Sequence, residues 1–243
     1  MKPILFASLL LLPLPLFAQK AIPAGTILPL RLNSSLNSRK SKAGDTVTGR
    51  LMQDVPLPAG EKIRAGSKAM GRILDVLHAT DGSVQLSFIF DTLVVSQQKI
   101  PMSTNLRALA SLTEVQDAQT PKTGPDRGTP QNAWTTVQIG GDVVYRGGGP
   151  VAKGLQVVGA PTADGVLARI DSKSSDPCRA DVDANDHPQA LWVFSADACG
   201  TYGFEDLRIV HAGRTTPIGQ MTLLSTGHNL DIHSGSGLLL RVQ

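Results

Sequence analysis

The sequence predicts an all-β protein: a barrel- or sandwich-like single domain interrupted by a long polar insertion. Three observations predict it. Over residues 20–104, short apolar runs alternate with polar positions between Gly, Pro and Asp, with no sustained 3.6-residue period. The same texture returns over residues 134–243. Finally, 24 glycines and 16 prolines with only 4% aromatics suit a chain of many turns.

The first element is a secretory leader. Residues 1–18 carry Lys2, an apolar run from Ile4 to Phe17, and Ala18 before Gln19, with Leu16 at the −3 position. The run is shorter than the ~20 apolar residues of a spanning helix, and Pro13 and Pro15 break it. The expected product is exported, with no transmembrane span in its mature chain. It is destined for the periplasm, the outer membrane or the medium. A net charge of +3, with no Lys/Arg cluster interleaved with aromatics, argues against nucleic acid as a partner.

Strands are expected at Ile27–Leu32 and at Val47–Leu51, where Thr46, Thr48 and Arg50 alternate outward. Further runs cover Ala69–Leu77, Val84–Val95 and Lys99–Met102, with Asp81-Gly82 as a hairpin turn. The turns share a style. Ile22-Pro23-Ala24-Gly25-Thr26-Ile27, Gly44-Asp45-Thr46-Val47, Leu57-Pro58-Ala59-Gly60, Ile63-Arg64-Ala65-Gly66-Ser67 and Gly71-Arg72-Ile73 follow one another. Each sets a tight reversal in which Gly supplies positive φ.

This segment, about residues 22–104, resembles the β-barrel domain of the TrbI-like proteins of conjugative and type IV secretion machinery. The resemblance implies a barrel and a place in a bacterial cell envelope. Such proteins would carry an inner-membrane helix and a proline-rich stretch before the barrel. Here the leader is followed directly by the barrel-like segment, so a full envelope-spanning channel subunit is not expected.

Leu106, Leu109, Leu112 and Val115 recur every three residues, which permits a short helix, and Gln116–Asn132 reads as a polar linker within 105–133. Beyond it, strands are expected at Thr135–Ile139, Val143–Tyr145, Leu155–Val158, Val166–Ile170, Ala190–Phe194, Leu207–Val210, Met221–Leu224 and Leu238–Val242. The last one matches the first. Ile232, Gly235, Leu238, Leu240 and Arg241 align with Ile22, Gly25, Leu28, Leu30 and Arg31, while Ser236 and Val242 stand for Thr26 and Leu32. That match implies equivalent or neighbouring strands, with 134–243 completing the same domain as 19–104.

Candidate chemistry is sparse. Cys178 and Cys199, an even pair in an exported chain, are expected to form a disulfide, worth about 3 kcal/mol in the chain-entropy model. Asp181-x-Asp183-x-Asn185 has the oxygen spacing that opens a calcium loop. Asp186 stands where that loop needs glycine and Trp192 where it needs an acid, so a solvated turn is the plainer reading. His228, Asp231 and His233 would need His187 or His211 to hold zinc. Gly147-Gly148-Gly149 is a turn and matches no phosphate loop, and no G-x-S-x-G elbow is present. Trp134, Tyr145, Trp192 and Tyr202 could stack on a sugar but read more simply as core and turn residues.

The sequence therefore points to an exported envelope protein of structural, assembly or binding type, without catalysis and without a resident cofactor. Its partner is an envelope protein or a glycan. A glycan- or calcium-binding module is the alternative, and a hydrolase is the least supported.

Overall fold

The computed structural model describes residues 21–120, 134–139, 143–146, 151–153, 156–162, 165–168, 189–194, 198–210 and 218–243. The chain is predominantly β. The first half contains β1 (Ile27–Leu32), β2 (Leu36–Asn37), β3 (Thr46–Leu51), β4 (Val55–Pro56), β5 (Lys62–Ile63) and β6 (Lys68–His78). It continues with β7 (Val84–Val95), β8 (Gln98–Pro101), β9 (Thr104–Ala110) and the one α-helix among the described residues, α1 (Leu112–Gln119). Short strands follow: β10 (Trp134–Val137), β11 (Val143–Arg146), β12 (Val151–Lys153), β13 (Gln156–Thr162), β14 (Gly165–Ala168) and β15 (Gln189–Ala190). The last are β16 (Gly200–Tyr202), β17 (Leu207–Val210), β18 (Met221–Ser225), β19 (Asp231–Ile232) and β20 (Gly237–Val242).

The principal sheet runs β16-β9-β20-β1-β3-β6-β7-β18-β17, with β8 on the far half of β7, and curls into a nearly closed barrel. Separate small sheets join β10 to β11 and β12 to β15. The barrel's inner face is aliphatic. Leu28, Leu30 and Leu32 of β1 meet Val47 and Leu51 of β3, Leu238 and Leu240 of β20, and Phe88 and Phe90 of β7 in one buried cluster. The two phenylalanines contact edge to face, with centroids 6.1 Å apart. Each such buried side chain stabilises the fold by roughly 1.5–3 kcal/mol.

One turn builds four of these strands. Gly25, Gly44, Gly66 and Gly235 have φ between 86° and 97°, and each is followed by Thr, Asp or Ser that opens a strand. In all four, the N–H after the glycine closes the turn onto the carbonyl three residues back: Pro23, Lys42, Arg64 and His233. Each glycine N–H then donates to a carbonyl of a neighbouring strand, at Val242, Ile73, Leu51 and Leu32. Those four residues donate back to the carbonyls of Thr26, Asp45, Ser67 and Ser236. The bonds are reciprocal within two strand pairs, β1 with β20 and β3 with β6, so each pair carries a local two-fold. The matching segments at 22–32 and 232–242 are thus antiparallel neighbours, with Leu30 opposite Leu238.

The region 104–119 departs from the sequence reading. Leu106 and Leu109 lie on β9, and only Leu112 and Val115 fall in the helix. A strand with leucines three apart should turn one of them outward. Here β20 passes from Leu239 opposite Ala108 to Leu240 opposite Leu106, so Arg107 is an extra bulged residue. The bulge returns both leucines to the barrel interior. Ser111 then caps α1, its Oγ accepting from the Glu114 N–H at 3.3 Å, and the helix runs to Gln119, inside the stretch read as linker. Ala190–Phe194 also differs, since only Gln189–Ala190 is strand, Trp192 and Val193 form a turn, and Phe194 makes an isolated bridge to Ile139.

The outer face is divided. At β9, β20 and β1 it is covered: Ala108, Ala110, Leu239 and Ile27 pack under Val115 and Ala118 of α1 and under Leu191, Trp192, Val193 and Phe194. This is why β9 is buried along its whole length. At β3 and β6 the outer positions reach solvent, and Thr46, Thr48 and Arg50 alternate outward against buried Val47, Gly49 and Leu51.

A small charged cluster holds β4 and β5. Lys62 Nζ and the Ala65 N–H donate to the Asp54 carboxylate at 2.6 and 2.9 Å. Lys62 first, then the amide, keep this carboxyl below its usual range. A lowered folded-state value means a contribution present above the unfolded pKa of about 4 and lost as pH falls through the folded one. Both side chains are substantially exposed, so at neutral pH Asp54→Asn is expected to cost no more than about 1 kcal/mol in urea unfolding. That difference should vanish in acid; a constant difference across pH would contradict the ion pair.

Candidate functional site

The four-fold turn fixes where its arginines lie. Arg31, Arg50, Arg72 and Arg241 each stand six residues after a turn glycine, just before the residue that bonds back to the neighbouring turn. Because β1 and β3 pair antiparallel with Arg31 opposite Arg50, two of these side chains face each other across neighbouring strands. The next strand puts Lys68 opposite Arg50, β7 puts Val94 opposite Lys68, and β8 puts Lys99 opposite Val94. Arg31, Arg50, Lys68 and Lys99 are all exposed, on the face opposite Leu30, Leu51, Ala69 and Ile100. The result is a row of cations one residue wide across five strands.

Neighbouring charges are treated differently. Arg72 Nη1 donates to Asp91, which bulges out of β7 beside Gly71, and Lys62 is held by Asp54. None of the four cations in the row makes an ion pair among the described residues. Like charges directly opposite one another weaken a sheet, so Arg31-Arg50-Lys68 is a local cost that an anion would relieve. The second row on this face, Thr48, Met70 and Thr92, is half-buried and uncharged. The arrangement can bind and orient anionic groups through guanidinium and ammonium donors. It presents no nucleophile or paired acid and base.

A second feature has the opposite sign. A shallow hollow of about 230 Å³ is lined by Phe204, Glu205, Asp206, Ser225, Asn229 and Asp231, among others. Ser225 Oγ is occupied inside its own turn, donating to the carbonyls of Gly227 and Asn229 at 3.4 and 3.2 Å. No group of three or more metal-ligating side chains converges there or elsewhere among the described residues.

The residues singled out in the sequence fall as follows. Cys178, Asp181, Asp183 and Asn185 lie outside the described residues, as do His187 and His211. The disulfide and the calcium loop therefore have no described geometry. Cys199 precedes β16, and its N–H donates to Tyr202 Oη at 3.0 Å. His228, Asp231 and His233 are exposed, and His228 lies against Gly82 in the β6–β7 turn, where an added Cβ would meet its ring at 2.7 Å. Trp192 is wholly buried in the outer cluster and Tyr202 is half-buried beside it. Trp134 and Tyr145 lie on β10 and β11.

Sequence reasoning missed the cationic row because its members stand 18 to 31 positions apart, each between two uncharged neighbours. The glycine turn could have exposed half of it: an arginine stands six residues after each of the four glycines, which marks Arg31 and Arg50 but not Lys68 or Lys99. Among the described residues, no helix is long and apolar enough to cross a membrane. No family model and no curated protein matches the chain.

Proposed function

We propose that this chain is an exported protein of a bacterial cell envelope that works by binding or assembly and catalyses no reaction. The observation that carries the reading is the solvent-facing row Arg31, Arg50, Lys68 and Lys99, set on a rigid, aliphatic-filled barrel. A cationic face on paired strands suits a stationary ionic contact, since each position is fixed by register and not by a mobile loop. The apolar run at 4–17 supports export, and the TrbI-like turns over 22–104 support an envelope setting. The Cys178–Cys199 disulfide belongs to the same reading.

The experiment is fractionation of the tagged protein in its own cells, followed by native sizing without reductant. The expected result is a processed chain outside the cytoplasm in a complex larger than the monomer. An unprocessed cytoplasmic monomer would overturn the reading.

A further inference from the structure

We propose that the cationic row binds a linear acidic glycan, the polymer lying across the strands from β1 to β8; this rests on reading the chain as a surface binder. The row is one residue wide. At about 4.8 Å between strands, the four steps from Arg31 to Lys99 cover roughly 19 Å along the curved outer surface, with cations at four of the five positions. A chain bearing one carboxylate per sugar offers repeated charges along a line of this kind. Guanidinium groups meet carboxylates through two parallel hydrogen bonds, which Arg31 and Arg50 can each supply.

The flanking residues favour a sugar. Thr48 and Thr92 border the row with hydroxyl groups, and Met70 between them is apolar and half-buried. Single-stranded nucleic acid would be expected to find aromatic side chains to stack on. The row and its border contain none. An anionic bilayer would be expected to meet a two-dimensional field with apolar anchors. The large hydrophobic side chains exposed among the described residues, Leu77 and Ile218, are not in these rows. The fold also pairs nearby cations, Arg72 with Asp91 and Lys62 with Asp54, while three consecutive opposed cations have no acid beside them among the described residues.

The test uses the full chain and fluorescently labelled oligogalacturonate, with dextran as the neutral polymer, and single-stranded DNA and phosphatidylglycerol vesicles in parallel. Oligogalacturonate should bind, dextran should not, and the affinity should fall steeply with added salt. Arg50→Glu should weaken binding by at least about tenfold, because it inserts an anion at the centre of the row. The same change replaces two like-charge oppositions with favourable ones, so its melting temperature should equal or exceed that of the parent. Lys42→Glu, an exposed site off the row, should leave binding within about twofold.

Absence of oligogalacturonate binding, unchanged affinity in Arg50→Glu, or tighter binding of DNA or vesicles would each overturn the glycan proposal. Loss of glycan binding by a chain that still resides in an envelope complex removes the glycan alone. Glycan binding by a chain that never leaves the cytoplasm keeps the row's ligand and removes the export reading.

Discussion

Gly71→Ala is expected to destabilise the protein by about 3 kcal/mol or more, the largest loss from adding one methyl group. Gly71 stands where β6 and β7 slip register: Met70 faces Thr92, but Gly71 faces Phe90, and Asp91 is extruded between them. The bulge brings the β7 backbone onto the α-carbon of Gly71. A Cβ there would collide with the Ile89 carbonyl and lie 2.8 Å from the Phe90 α-carbon. Both obstacles are backbone, so no rotamer change relieves them. Relief requires separating the two longest strands of the barrel, which hold Ile73, Phe88 and Phe90 in its core. Thermal unfolding followed by far-ultraviolet circular dichroism should fall by about 6–12 °C, at 2–4 °C per kcal/mol for a chain of this size. Gly49→Ala is the control, because its Cβ would meet the Arg31 carbonyl at 3.2 Å, a contact that a small shift relieves. Equal melting temperatures for Gly71→Ala and the parent would contradict the bulge.

Trp192→Ala should cost about 3–5 kcal/mol. Trp192 is fully buried among Leu191, Val193, Phe194, Ala108 and Leu239, outside the barrel proper. Its backbone is strained, with φ at 53°, and is held by hydrogen bonds at both ends of the residue. The Trp192 N–H donates to Gln53 Oε1 at 2.7 Å, and its carbonyl accepts from Gln138 Nε2 at 3.4 Å. The side chain therefore carries the packing that keeps an unfavourable turn in place, and alanine removes the packing without removing the strain. The midpoint of urea unfolding should move by the corresponding amount. A change below about 1 kcal/mol would mean that this segment does not seal β9 and β20 from water.

The strands with simple rules were legible. β7 spans the whole expected run from Val84 to Val95, β17 spans Leu207–Val210, and β3 alternates as its residues demand. What escaped was set by irregular backbone. The β7–β8 reversal uses Ser96 and Gln97 at φ of 48° and 69°, a conformation usually given to Asn and Gly, so no turn signal marked it. The bulge at Arg107 disguised β9 as helix by moving leucines three apart onto one face. The cationic row escaped for another reason. Charge along the chain is evenly spread, and only the register of β1, β3, β6, β7 and β8 sums single charges into a line.

The pairing of β1 with β20 sets the order in which this protein can fold. Ile27 sits opposite Arg241, so the two strands meet only after nearly the whole chain has been searched. Until residues 237–242 dock, β1 and β9 each present a bare edge with unpaired amides and carbonyls, a template for pairing with other chains. The early strands gain local hairpins such as β6–β7 quickly, but closure waits on the most distant contact and is slow for that reason. A chaperone that shields those two edges would raise the yield of refolded protein more than one that shields β3 or β6, whose partners lie close by in sequence.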